Sequence, residues 1–217
     1  ILGSQSGTWF IDITTPSAPV TCTYAAGTSS NATWRELKTY QNYCYVITDD
    51  AGAQGLQIFD MTNLPSSVNK VYESKTLFAR GHACWVDGDK LYVSGITYSN
   101  NATSSMDIYS LATPTNPVLI RSLKQDYPAI TYVHDMFVRR DTIFASCGYQ
   151  GLYVFKLNSN NTLTQLGSLT AYPGSGYNHS SALTPNGQTL IFTDEVPASL
   201  PVKSANVSNL SNITINA

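Results

Sequence analysis

A short strand-like core returns along this chain about every 48 residues, and that rhythm restricts the available folds more than any other feature. Residues 7–16 (GTWFIDITTP) match residues 55–65 (GLQIFDMTNLP), and further copies stand at 105–114 (SMDIYSLATP) and 151–157 (GLYVFKL). A worn fifth copy is LPVKSA at 200–205. Counted at Asp12, Asp60, Ser110, Lys156 and Ser204, the intervals are 48, 50, 46 and 48 residues. Between copies lie paired runs of β-branched and aromatic residues: 34–39 with 44–48, 83–86 with 91–94, 136–138 with 143–146, and 181–183 with 190–193. Turns such as Gln41-Asn42, Asp87-Gly88 and Asn186-Gly187 separate them, which is hairpin chemistry. Another run, such as 118–123, follows each core, and nothing reads as an amphipathic helix. Four short strands in 40–50 residues are one blade of a β-propeller. The expected fold is all-β, a propeller of four-stranded antiparallel blades, about four and a half of them. The partial blade covers 1–30, and blades follow at about 31–78, 79–126, 127–172 and 173–217. Residues 1–4 align with the close of a second strand, so the chain opens inside a blade. A propeller removes its sheet edges by closing into a ring, so other protein chains, or the remainder of a longer one, are expected as partners.

Composition narrows the function. Charged residues are 12% of the chain, 12 Lys and Arg give a net charge of −2, and 42% of residues are apolar. No basic field is available to hold a nucleic-acid backbone, and no apolar run approaches the length of a membrane span. Polarity comes from Ser, Thr, Asn and 14 Tyr, which suits an extracellular or cell-surface protein. Seven sequons support that setting and mark glycosylation candidates at Asn31, Asn101, Asn160, Asn178, Asn206, Asn209 and Asn212. Cys22, Cys44, Cys84 and Cys147 lack zinc-ribbon spacing. They are open to three disulfide pairings or to service as buried packing residues.

The cores Trp9–Asp12, Leu56–Asp60 and residues 152–155 resemble LVIVD repeats. The longer strings WRELK at 34–38, YVHD at 132–135, YNH at 177–179 and FTDE at 192–195 resemble, in the same order, the choice-of-anchor B family. The resemblance spans nearly the whole chain and implies a surface-attached propeller of no established enzymatic activity. The third copy departs from it, with Ser105 and Ser110 in place of Gly and Asp.

Aligning the hairpins puts four polar residues at one blade position. Glu36, His82 and His134 each stand nine residues before Tyr45, Leu91 and Ile143, and His179 stands eleven before Leu190. Those are all the histidines of the chain, so a ring of Glu36, His82, His134 and His179 is expected at one end of the central channel. Asp49, Asp50, Asp194 and Glu195 should finish nearby on the returning strands, and Asp135 follows His134 directly. Imidazole with carboxylate suits a divalent metal ion, with Asp135, Asp194 and Glu195 orienting the ligands from behind. The competing interpretation is hydrogen bonding of loops and trapped water. Asp12 and Asp60 read as turn residues rather than acids, and no nucleophile elbow is present. The resulting expectation is a non-catalytic structural or binding module for adhesion or assembly. The alternatives are a metal-dependent hydrolase or lyase using the His/Glu ring, and a carbohydrate-binding module that recognises glycans with exposed tyrosines.

Overall fold

The computed structural model describes residues 1–49 and 54–216. Its nineteen described strands form five antiparallel sheets in chain order. The first has three strands, β1 (Leu2–Gly3), β2 (Gly7–Asp12) and β3 (Val20–Ala26). The second has β4 (Arg35–Tyr40), β5 (Tyr43–Thr48), β6 (Leu56–Asp60) and β7 (Asn69–Ser74). The third has β8 (Ala83–Asp87), β9 (Lys90–Thr97), β10 (Thr103–Ser110) and β11 (Val118–Ser122), followed by one 3₁₀ turn at Leu123–Gln125. The fourth has β12 (Asp135–Arg139), β13 (Thr142–Ser146), β14 (Leu152–Leu157) and β15 (Leu163–Leu169). The fifth has β16 (Asn178–Leu183), β17 (Thr189–Asp194), β18 (Lys203–Asn206) and β19 (Thr214–Ile215). The architecture is a partial β-propeller. Its innermost strands β4, β8, β12 and β16 pack side by side in turn.

Alternation within the two middle strands of each blade holds the wedges together. In β5, Tyr45 and Ile47 face the third blade, where they pack with Leu91, Val93 and Tyr109. Their neighbours Cys44 and Val46 face the first blade and Phe10. The same division puts Met136, Ile143 and Ala145 against Tyr92 and Met106 on one side of the fourth blade, and Phe144 and Val154 against Leu190 and Phe192 on the other. A strand buried on both faces reads as a continuous apolar run, which is why YCYVIT at 43–48 and the centre of β9 carry so few polar residues. Each outer strand has one face in water, and β3, β7 and β11 are accordingly half polar and exposed.

The turns after β2, β6 and β18 are each built by the strand's last side chain. Asp12 Oδ1 accepts the Thr14 amide at 2.8 Å, Asp60 Oδ1 accepts that of Thr62 at 2.9 Å, and Asn206 Oδ1 accepts that of Ser208 at 2.9 Å. The fifth copy therefore sits two residues later than the Ser204 spacing indicates. The backbone register agrees, because Asn206 pairs with Thr189 as Asp60 pairs with Tyr43. Among the described residues all four cysteines are free thiols, three of them buried. Six sequon asparagines are exposed, whereas Asn178 is fully buried and its amide donates to Tyr172 Oη and Asp194 Oδ1. Asn178 is thus corrected from glycosylation candidate to core residue.

Asp194 also departs from expectation. It does not support an imidazole; it accepts from Lys203 Nζ at 2.9 Å and from the Tyr172 hydroxyl at 2.7 Å, inside the fifth blade. The ion pair is almost dry, at 5% exposure for Lys203 and none for Asp194. Removing one member of such a pair strands the other charge without water. Lys203→Met is expected to lower unfolding free energy in urea by about 3–5 kcal/mol, and adding Asp194→Leu should return much of that loss. Equal losses in the single and double variants would show that the pair carries no such role.

Candidate functional site at the channel mouth

The three histidines come together where the first and second strands of successive blades begin and end. His82 and His134 each precede an innermost strand by one residue, and their amides donate to the carbonyls of Ser94 and Ser146 at 2.8 and 2.7 Å. His179 lies at a bulge in β16, between Asn178 paired with Asp194 and Ser180 paired with Thr193. The His82 and His134 ring centroids are 4.2 Å apart, and those of His134 and His179 are 4.3 Å apart. Glu36 does not share their register. It pairs with Ile47, the place that Ala83 and Asp135 hold against Ser94 and Ser146; Arg35 occupies the histidine position. The sequence alignment slipped because Tyr45 is the third residue of its strand, whereas Leu91 and Ile143 are the second of theirs. One residue of slip moves a strand side chain to the opposite face. Glu36 nevertheless lines the same cavity, with Lys38 Nζ 3.4 Å from its carboxylate.

That cavity has a volume of about 500 Å³ and an open mouth, and its walls include Glu36, His82, His134, Asp135, His179 and Glu195. Glu195 reaches it because it follows buried Asp194 on an alternating strand; its carboxylate lies 3.7 Å from His179 Nε2. Asp135 also lines it, but its Oδ1 accepts the Met136 amide at 2.7 Å rather than an imidazole N–H. Asp49, at the end of β5, is the carboxylate that does orient a ring, 2.6 Å from His82 Nδ1. Asp50 lies outside the described residues.

The partners assign the tautomers. The carboxylate of Asp49 can only accept, so His82 Nδ1 carries hydrogen and donates. The His179 carbonyl can only accept, so His134 Nδ1 donates to it, at 3.0 Å. With both rings neutral, the two Nε2 atoms, 2.9 Å apart, then face each other with lone pairs; a proton on either one turns the contact into an N–H···N hydrogen bond. Burial, followed by the His82 and His179 charges, lowers the His134 pKa from the ordinary 6.5 to about 4. Burial raises the Asp135 pKa; the Met136 amide opposes that shift, and the Glu36 charge adds to it. His134, His179 and Glu195 present donor atoms within 4.8 Å of one another, so these residues could hold a metal ion.

Aromatic rings surround the imidazoles. Tyr132 lies 6.4 Å from His82 and 6.3 Å from His134, and Tyr177 meets His134 edge-on at 5.5 Å. Trp34, at 55% exposure, stands on the rim 6.5 Å from His82. The recurring Tyr-x-His at 132–134 and 177–179 was the available sequence signal for the two tyrosines.

No family model matches the chain, and no curated protein does. Solved structures match its fold. A Bacteroides fragilis protein provisionally named a 6-phosphogluconolactonase is 14% identical, with a TM-score of 0.67 over 92% of this chain and 59% of that one. A Pseudomonas aeruginosa periplasmic gluconolactonase is 15% identical, with a TM-score of 0.65 over 90% and 58%. A β-propeller domain from Myceliophteria thermophila is 12% identical, with a TM-score of 0.57 over 91% and 60%. The chain thus spans about three fifths of the propellers it resembles. Two of these three carry the names of lactone hydrolases, which overturns the expectation of a non-catalytic adhesion or assembly module. No helix among the described residues is long and apolar enough to cross a membrane.

The lowered pKa of His134 has a consequence for stability. As pH falls through about 6.5, the unfolded chain takes up the proton that folded His134 refuses until about pH 4. Stability is therefore lost across that window as pH falls. In chelator-treated protein the urea midpoint should drop from pH 7 to pH 5, and His134→Gln should flatten the slope. An unchanged slope would remove His134 as its source.

Proposed function

We propose that this chain carries the active site of a hydrolase that opens a cyclic ester of a sugar acid at the channel mouth. The observation that carries the reading is one cavity gathering three imidazoles and three carboxyl groups, of which Asp135 is buried and Glu36 has an ammonium beside it. A carboxyl group that burial keeps protonated suits the role of acid, and a neighbouring solvated carboxylate that of base. Asp135, raised by burial and by Glu36, is the proton donor; Glu36, with Lys38 beside it, is the acceptor. Water held at the imidazole cluster attacks the carbonyl carbon while its proton passes to Glu36. The ring C–O bond then breaks, and the departing alkoxide takes the proton of Asp135. Trp34 offers an apolar face at the rim on which a sugar ring can stack.

The names of the similar propellers support the lactone class. The wall chemistry selects within it: Glu36, Asp135 and Glu195 line the cavity, and Arg35, the one Lys or Arg among its described lining residues, donates to Gln54 Oε1 and the Ser4 carbonyl. An uncharged lactone fits those carboxylates better than a phosphorylated one. The repeat cores support placing the protein among choice-of-anchor B propellers, and the exposed sequons support an extracellular setting.

Assays of sugar-acid lactones are expected to show turnover, with the phosphorylated substrate about 10-fold or more poorer because like charges oppose its entry. Asp135→Asn and Glu36→Gln should each lower kcat about 100-fold. The rate should climb as pH falls from neutrality toward the raised Asp135 titration, and Asp135→Asn should abolish that climb. Wild-type rates in both variants would remove the acid–base assignment.

A further inference from the structure

The opposed nitrogens of His82 and His134 need a positive centre. Both rings have committed their Nδ1 hydrogens outward, to Asp49 and to the His179 carbonyl. Their Nε2 lone pairs therefore converge at 2.9 Å. With both rings neutral the contact is repulsive, and either a proton shared between the two atoms or a metal cation beside them relieves it. The surroundings hold the rings in place. Ser94 Oγ donates to the His134 carbonyl at 3.1 Å, and Tyr132 and Tyr177 wall the rings laterally. The His82 side chain is only 15% exposed, so the contact is not a chance meeting of mobile surface groups.

We propose that His82 Nε2, His134 Nε2, the His179 imidazole and the Glu195 carboxylate hold one divalent first-row transition-metal ion, six-coordinate, with two positions left open on the cavity side. At metal–nitrogen lengths of about 2.0–2.1 Å, nitrogens 2.9 Å apart subtend about 90° at the ion. That is an octahedral angle. A tetrahedral zinc site would need the same atoms roughly 3.3–3.4 Å apart at these bond lengths. Three imidazoles and one carboxylate suit manganese, iron, cobalt, nickel or copper by donor type. Donors of one ion can lie at most about 4.2 Å apart at these bond lengths, and His134, His179 and Glu195 already lie within 4.8 Å. Closing the four donors around one ion takes small side-chain shifts of His82, which lies outside that trio, and of Glu195, whose side chain is 55% exposed. The Asp49–His82 bond supplies the carboxylate that fixes a ligand tautomer behind a metal.

This deepens the hydrolase reading of the same cavity, whose walls also carry Glu36 and Asp135, and a bound ion would lower the pKa of water held there. The test does not depend on turnover. Chelator-stripped chain is titrated with Ni²⁺, Co²⁺ and Zn²⁺ by calorimetry, and the cobalt form is examined by visible absorption. The expected result is one ion per chain, nickel and cobalt bound more tightly than zinc, and the weak visible bands of six-coordinate cobalt. Asp49→Asn should weaken binding 10–100-fold. His134→Ala should abolish it, and Glu195→Gln, at an exposed position that leaves the fold alone, should weaken it about 10-fold or more. No uptake below about 1 mM, intense four-coordinate cobalt bands, or affinities unchanged in both His134→Ala and Glu195→Gln would overturn the centre. Metal uptake without lactone turnover would support the centre while removing the hydrolase reading, so the two fail separately.

Discussion

Burial between neighbouring blades is the interaction on which everything else in this molecule depends. A single blade is a small sheet with two apolar faces, and it can hide them only against the blades on either side. The middle strands pay this requirement residue by residue: Tyr45 and Ile47 turn one way, Cys44 and Val46 the other. At roughly 1.5–3 kcal/mol for each fully buried large apolar side chain, four such interfaces dominate the stability of the chain. They also set the angle between wedges, and hence where the innermost strands point their ends.

The histidine cluster follows from that angle. Each imidazole sits just before or within an innermost strand, on a short backbone stretch fixed by the hairpin behind it. Because consecutive wedges bring β8, β12 and β16 side by side, side chains about 45–52 residues apart in sequence come within van der Waals reach. Two ring protons bonded outward leave electron pairs directed inward, and the cavity gains its chemistry from that arrangement rather than from any one residue type.

Inner strands do not repeat perfectly, and their exceptions carry meaning. Asp194 and Glu195 are adjacent, yet one is sealed with Lys203 and Tyr172 while the other stands in the cavity. Period-two alternation separates them, and a sequence run of two acids does not reveal which is which. Asn178 is a comparable case: its sequon is indistinguishable from the other six by pattern, but its position in β16 turns the amide into the core, toward Tyr172 and Asp194.

The repeat, the four-strand blade and the gathering of every histidine at one end were legible in the chain, because local strand periodicity and turn chemistry are written in neighbouring residues. The turn role of Asp12 and Asp60 was legible for the same reason. Register was not. Glu36 and Arg35 exchange places according to whether Tyr45 or Cys44 is matched to Leu91 and Ile143 in the other second strands, and only the backbone pairing of β4 with β5 decides it. Nor could sequence reveal that the imidazole hydrogens point away from one another. That depends on Asp49 and the His179 carbonyl arriving from different blades, and contacts between distant segments exist only once the wedges have packed.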